Sequence, residues 1–111
     1  MSRDYRVFLD DILEAVGKIE EYTRGMSKEE FSRDSRTRDA VVRNLEIIGE
    51  AVKQLPEEVR ARQADVEWKK IGGLRDILIH RYFGIDAEII WDILANKLPL
   101  LKQQVSRLSS Q

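Results

Sequence analysis

Residues 41–56, VVRNLEIIGEAVKQLP, decide the fold class. Val41, Leu45, Ile48, Val52 and Leu55 alternate in steps of four and three, which lines them along one narrow seam of an α-helix suited to an antiparallel neighbour. The helix begins near Asp34 or Ser35 and is stopped by Pro56, whose ring and missing N–H cannot continue it.

Working outward, the same period recurs on both sides. Tyr5, Phe8, Leu9, Ile12, Leu13, Val16 and Ile19 form one stripe of a first helix that ends near Gly25. Ser27, with Glu30 three residues later, has the spacing of a capping box for a short second helix holding Phe31. The stretch PEEVRARQADVEW (residues 56–68) has weak periodicity and is expected to hold one short helical turn. A fourth helix runs from Asp65–Trp68 to about Phe83, closed by Gly84. Asp86 caps a long last helix with Ile89, Ile90, Ile93, Leu94, Leu98, Leu101, Val105 and Leu108 on its inner side, and Pro99 inside it is expected to kink the axis. The expected architecture is all-α: one domain over residues 1–111, an up-and-down bundle of four main helices plus short helical turns.

Composition narrows the function. The 111 residues contain no cysteine and one histidine, His80, which excludes a disulfide framework and any thiolate or two-histidine metal set within one chain. No metal or cofactor is expected. The start, MSRDYRVFLDDI, carries acids where a signal peptide needs an apolar run, and no stretch approaches a membrane span, so a cytoplasmic location without membrane contact is expected. Nineteen lysines and arginines balance twenty acids, so any contact with nucleic acid must be local. Arg33, Arg36, Arg38 and Arg43 cluster, but Asp34 and Asp39 dilute them, so a solvated face is expected, with a surface for an RNA backbone or an acidic partner as the alternative. Gly72-Gly73 has no Walker lysine or dinucleotide fingerprint beside it and reads as a place of close helix approach.

The fourth helix carries the candidate chemistry. Ile71, Leu74, Ile77 and Leu78 sweep out an apolar arc, and Arg75 and Tyr82 project within it. A guanidinium there requires a carboxylate, a solvent-filled groove or a second subunit; Glu46 or Glu50, among the apolar positions of the third helix, would serve as the carboxylate. His80 follows Arg75 by five residues, which in a regular helix is about 140° around and roughly 7–8 Å along. Asp76, four residues before His80, shares its face and could orient the ring; the plainer alternative is an ordinary surface pair.

Arg75 to Tyr82, RDILIHRY, reads R-x4-H-x-Y and resembles the signature of HepT-type HEPN proteins. RNLEIIGEAVKQLP (Arg43–Pro56), Trp68, GLRDILIHRYFGID (Gly73–Asp86) and IIWDILANKLPLL (Ile89–Leu101) resemble the same family in order and spacing, from about Asp4 to Leu108. The resemblance implies a helical homodimer in which two R-x4-H motifs line a shared cleft that cleaves RNA, not DNA, without metal. Arg75 and His80 would then be catalytic, with Asp76, Glu46 and Glu50 supporting. It also implies a minimal nucleotidyltransferase antitoxin that inactivates the toxin by transferring AMP to Tyr82. Asp76 departs from the family pattern, where the residue after the motif arginine is often asparagine; its charge would repel a phosphate unless paired. The alternative within the family is a non-catalytic helical module that binds a nucleotidyltransferase or its nucleotide.

Overall fold

The structure is a computed structural model that describes residues 4–81 and 87–110, the side chains of Arg75, Ile77, Ile79, His80 and Arg81 excepted. It is all-α, as the periodicities require, with no strand among the described residues. Helix α1 spans Tyr5–Thr23, with the Asp4 carboxylate accepting from the Arg6 N–H at its start. Gly25, at φ +77°, turns the chain after it, a backbone conformation that glycine adopts without steric cost. Helix α2, Lys28–Arg33, opens on the capping box read from the sequence: Ser27 Oγ accepts from the Glu30 N–H and Glu30 Oε1 accepts from the Ser27 N–H. Asp34 caps α3, Ser35–Gln54, by accepting from the Thr37 N–H at 3.0 Å.

The weakly periodic stretch holds α4, Glu57–Arg60, followed by a 3-10 turn at Ala61–Gln63. Trp68 pins this turn to the start of α5, Trp68–Arg81: its indole N–H donates to the carbonyls of Arg60 and Gln63, both at 3.0 Å. The expected ends of this region, Gly84 after the fourth helix and the Asp86 cap of the last, lie outside the described residues.

The last helix is not the single kinked rod that the sequence suggests. It is α6, Ala87–Asp92, a π-helical segment at Ile93–Lys97, and α7, Leu98–Ser109. Proline explains the division: Pro99 cannot donate a hydrogen bond and its ring crowds the carbonyl four residues back. The chain widens instead, and the Leu98 N–H donates to the Ile93 carbonyl five residues back. Pro99 then sits in the first turn of α7, where a missing N–H costs nothing. Ile89, expected on the inner side, is 57% exposed, because Ile90 takes the core-facing position beside it.

Helix α3 is the spine, packing against α1 along one flank and α5 along another, while α7 lies on α1 and α2 on α6. The seam residues Val41, Leu45, Ile48, Val52 and Leu55 are all buried, joined by Leu9, Ile12, Phe31, Leu101 and Val105 in one apolar cluster. Phe31 packs on Trp91 with ring centroids 5.3 Å apart, seating α2 on α6. Among the described residues, no helix is long and apolar enough to cross a membrane.

Candidate functional site

Helix α5 holds both motif residues on one continuous α-helical backbone, Arg75 in its middle and His80 one residue before its end. Their Cα positions are therefore about 140° apart around the axis and roughly 7–8 Å apart along it. Their side chains, and all of Tyr82, lie outside the described residues. The region that positions them is described, and it is the contact between α5 and α3.

That contact is close because of Gly72. A Cβ at Gly72 would lie 3.3 Å from Lys53 Cγ and 3.7 Å from Val52 Cγ1, so the absent side chain is what lets the Lys53 stem cross α5 at this point. The Gly72-Gly73 pair thus does what its composition suggests, although only Gly72 meets a neighbour; nothing lies within 4 Å of a Cβ built at Gly73.

Having crossed Gly72, Lys53 places its ammonium 2.9 Å from Asp76 Oδ2. Asp76 is the residue after Arg75 and one helical turn before His80. The negative charge that departs from the family pattern is therefore paired with a cation from α3. Sequence reasoning missed Lys53; the available signal was its place at the outer edge of the α3 seam, one residue beyond Val52.

The carboxylates expected to support Arg75 stand on α3. Glu46 is only 23% exposed at its side chain, and Arg43 Nη1 lies 3.8 Å from its Oε2. The exposed Glu50 accepts a hydrogen bond from the Gln54 amide at 3.3 Å. Of the arginine cluster, Arg38 is committed to structure, its guanidinium donating to the Ser32 and Phe31 carbonyls where α2 ends. Arg33, Arg36 and Arg43 remain solvent-facing.

The sequence has relatives among known proteins. A protein of Methanocaldococcus jannaschii named as a candidate RNase is 53% identical over 98 residues, covering 88% of this chain and 81% of its own. A candidate RNase of Caldanaerobacter subterraneus subsp. tengcongensis is 45% identical over 103 residues, covering 93% and 92%. A candidate ribonuclease HepT of Thermococcus cleftensis is 40% identical over 108 residues, covering 97% and 98%. No solved structure matches the chain significantly. The family profile described as ribonuclease HepT-like matches residues 12–108, a range that contains all of α3 and α5 and most of α1. The chain belongs to the HepT-like ribonuclease family.

Proposed function

We propose that this protein is a metal-independent endoribonuclease that works as the toxin of a toxin–antitoxin pair, with Arg75 and His80 as its catalytic residues. The observation that carries the reading is the R-x4-H spacing on the helix held against α3, inside a chain that the ribonuclease HepT-like family profile matches over residues 12–108.

The chemistry follows from what RNA cleavage needs. A base removes the proton of the 2′-hydroxyl, the 2′-oxygen attacks phosphorus, and the 5′-oxygen leaves with a proton from an acid. Negative charge builds on the phosphoryl oxygens meanwhile and requires a fixed cation. One imidazole cannot serve as base and acid in the same step. A homodimer supplies a second His80, and two copies of Arg75 clamp the phosphate. Dependence on the 2′-hydroxyl restricts the substrate to RNA. Lys53 assists by keeping the Asp76 charge compensated beside the motif.

The partner in this reading is a minimal nucleotidyltransferase that attaches AMP to Tyr82. A phosphodiester and a nucleoside placed beside the motif would compete for Arg75 and fill the space that RNA needs.

Purified protein should cut RNA in the presence of EDTA, and His80→Ala and Arg75→Ala should each abolish cleavage while the helical circular dichroism is retained. Cleavage that survives His80→Ala refutes the mechanism. Coexpression with the nucleotidyltransferase should add the mass of AMP to the peptide containing Tyr82, and Tyr82→Phe should prevent it.

A further inference from the structure

The ribonuclease reading leaves the arginines at the α2–α3 junction unused. Arg33 ends α2 and Arg36 stands in the first turn of α3, and both line an open hollow of about 480 Å³ with Met26, Glu30, Asp34 and Ser35. Both are exposed, and neither reaches a carboxylate within ion-pair distance among the described residues. The two acids of the hollow are engaged elsewhere. Glu30 Oε1 accepts from the Ser27 N–H at 3.0 Å, and Asp34 accepts from the Thr37 N–H at 3.0 Å and the Thr37 hydroxyl at 2.8 Å. Asp39, three residues beyond Arg36, is not free either. A third arginine braces the junction: the Arg38 guanidinium donates to the Phe31 and Ser32 carbonyls, which ties the end of α2 to α3 and holds Arg33 close to Arg36. Two uncommitted guanidiniums on a braced elbow suit an anion with several acceptor oxygens.

The place of the junction favours a phosphate. Lys53 crosses α5 at Gly72, where α3 has one residue left before it ends at Gln54, yet α5 stays packed on α3. Helix α5 must therefore run antiparallel along α3, towards the α2–α3 junction. At about 1.5 Å per residue, position 80 lies about 12 Å beyond Gly72 and Arg43 about 15 Å back from Lys53, so the two stand at nearly the same level. Arg36 follows about 10 Å further on and, seven residues from Arg43, shares its solvent-facing side within about 20°. The contacts of α2 agree: Lys28 Nζ lies 3.1 Å from Glu88 Oε1 and Phe31 packs on Trp91, which seats α2 on the helix that follows α5. A strand with one phosphate at the motif therefore meets Arg43 and then the hollow within a few nucleotides.

We propose that the α2–α3 junction binds a backbone phosphate of the RNA substrate away from the cleaved bond, with Arg33 and Arg36 as the contacting residues. The proposal deepens the ribonuclease reading, on which it rests for the identity of the strand as substrate. Such a contact carries no base preference. It lengthens the stretch of RNA that the protein holds and makes that hold sensitive to salt.

The test titrates the full chain with a fluorescent 2′-O-methyl RNA oligomer, which lacks the attacking hydroxyl and so reports binding without cleavage, over roughly 50 to 200 mM salt. Replacing the pair, Arg33→Gln with Arg36→Gln, should weaken binding by about tenfold at low salt. It should also lower the slope of log Kd against log salt by about 1.4, two single-strand phosphate contacts at roughly 0.7 each. Arg33→Lys with Arg36→Lys should keep the slope, because lysine keeps the charge. Both positions are exposed, so the helical circular dichroism should not change. In cleavage assays the glutamine pair should lower kcat/KM for a long RNA by a similar factor, and by far less for a dinucleoside monophosphate, whose single phosphate sits at the motif. An unchanged salt slope, or an equal loss on both substrates, would overturn the proposal. So would intact RNA binding in a variant that no longer retains the coexpressed nucleotidyltransferase, since the junction would then belong to a protein partner. Arginine-dependent RNA binding by a chain that cuts nothing would uphold the phosphate site and remove the ribonuclease reading. Cleavage with an unchanged slope would do the reverse.

Discussion

Three glycines in helix interiors differ only in what a methyl group would meet, so replacing each with alanine measures the α3–α5 contact directly. Alanine is favoured over glycine in a helix interior by about 1 kcal/mol, because the unfolded glycine chain has more freedom to lose. At Gly17, on the exposed side of α1, and at Gly73, in α5, nothing lies within 4 Å of the added Cβ. Both substitutions should therefore stabilise the fold by about 1 kcal/mol each, a rise in Tm of roughly 3–5 °C for a chain of this length. At Gly72 the same gain meets a Lys53 Cγ at 3.3 Å, closer than ordinary contact, so the lysine stem must give by a few tenths of an ångström against its 2.9 Å pair with Asp76. Gly72→Ala should thus recover little or none of the 1 kcal/mol. Urea and thermal unfolding followed by circular dichroism, with oligomeric state checked by light scattering, would read all three. A Gly72→Ala variant as stabilised as Gly73→Ala would refute the close approach. A destabilised Gly73→Ala would mean that its open face is covered in solution.

Three other outcomes follow from single contacts. Trp68→Phe removes the indole N–H shared by the Arg60 and Gln63 carbonyls and should cost roughly 1–3 kcal/mol in urea unfolding, with Trp91 retained as the fluorescent reporter. Asp34 has its carboxyl held below the usual value of 3.8 by the Thr37 N–H and hydroxyl. Since the folded pKa is the lower one, the stabilisation is complete above 3.8 and is lost as pH falls through the folded value; Asp34→Asn should flatten stability across that acid range. Lys53→Met should raise the KM for RNA by up to about tenfold by leaving Asp76 without its α3 cation, and Asp76→Asn in the same chain should restore it. A loss of kcat alone, or no rescue, would assign Lys53 a purely structural part.

The helices were legible because their signals are local. The four-and-three seam of α3, the Ser27–Glu30 capping box and the Pro56 stop each depend on residues within one or two turns, and each is present in the fold. The motif was legible for the same reason, since Arg75, Asp76 and His80 occupy one short stretch of α5. What stayed hidden depends on distance or on competition. The Lys53–Asp76 pair joins residues 23 positions apart and exists only because Gly72 lets two helices approach. The exposure of Ile89 reflects a choice between two adjacent isoleucines that a periodicity alone leaves open. The π-helical turn was half visible: Pro99 announced a disturbance, but a kink and a widened turn answer the same missing N–H.

That widened turn also sets how the end of the chain can vary. From Ile90 to Leu98 is eight residues, nearly one more than two ordinary α-turns, whereas Leu98, Leu101, Val105 and Leu108 return to the three-and-four rhythm. The π-helical segment absorbs the surplus, so the buried faces of α6 and α7 belong to one surface despite the break in rhythm. Deleting one residue between Ile93 and Lys97 would remove that surplus: Ile90 and Leu98 would stand seven residues apart, close to two α-turns, and Leu101, Val105 and Leu108 would keep their place on the core as the turn closes to α-helix. The segment is therefore the one place near the end of the chain where losing a residue leaves the phase of the buried face intact, while the packing of Ile93 and Leu94 on the core still limits which side chains it can carry.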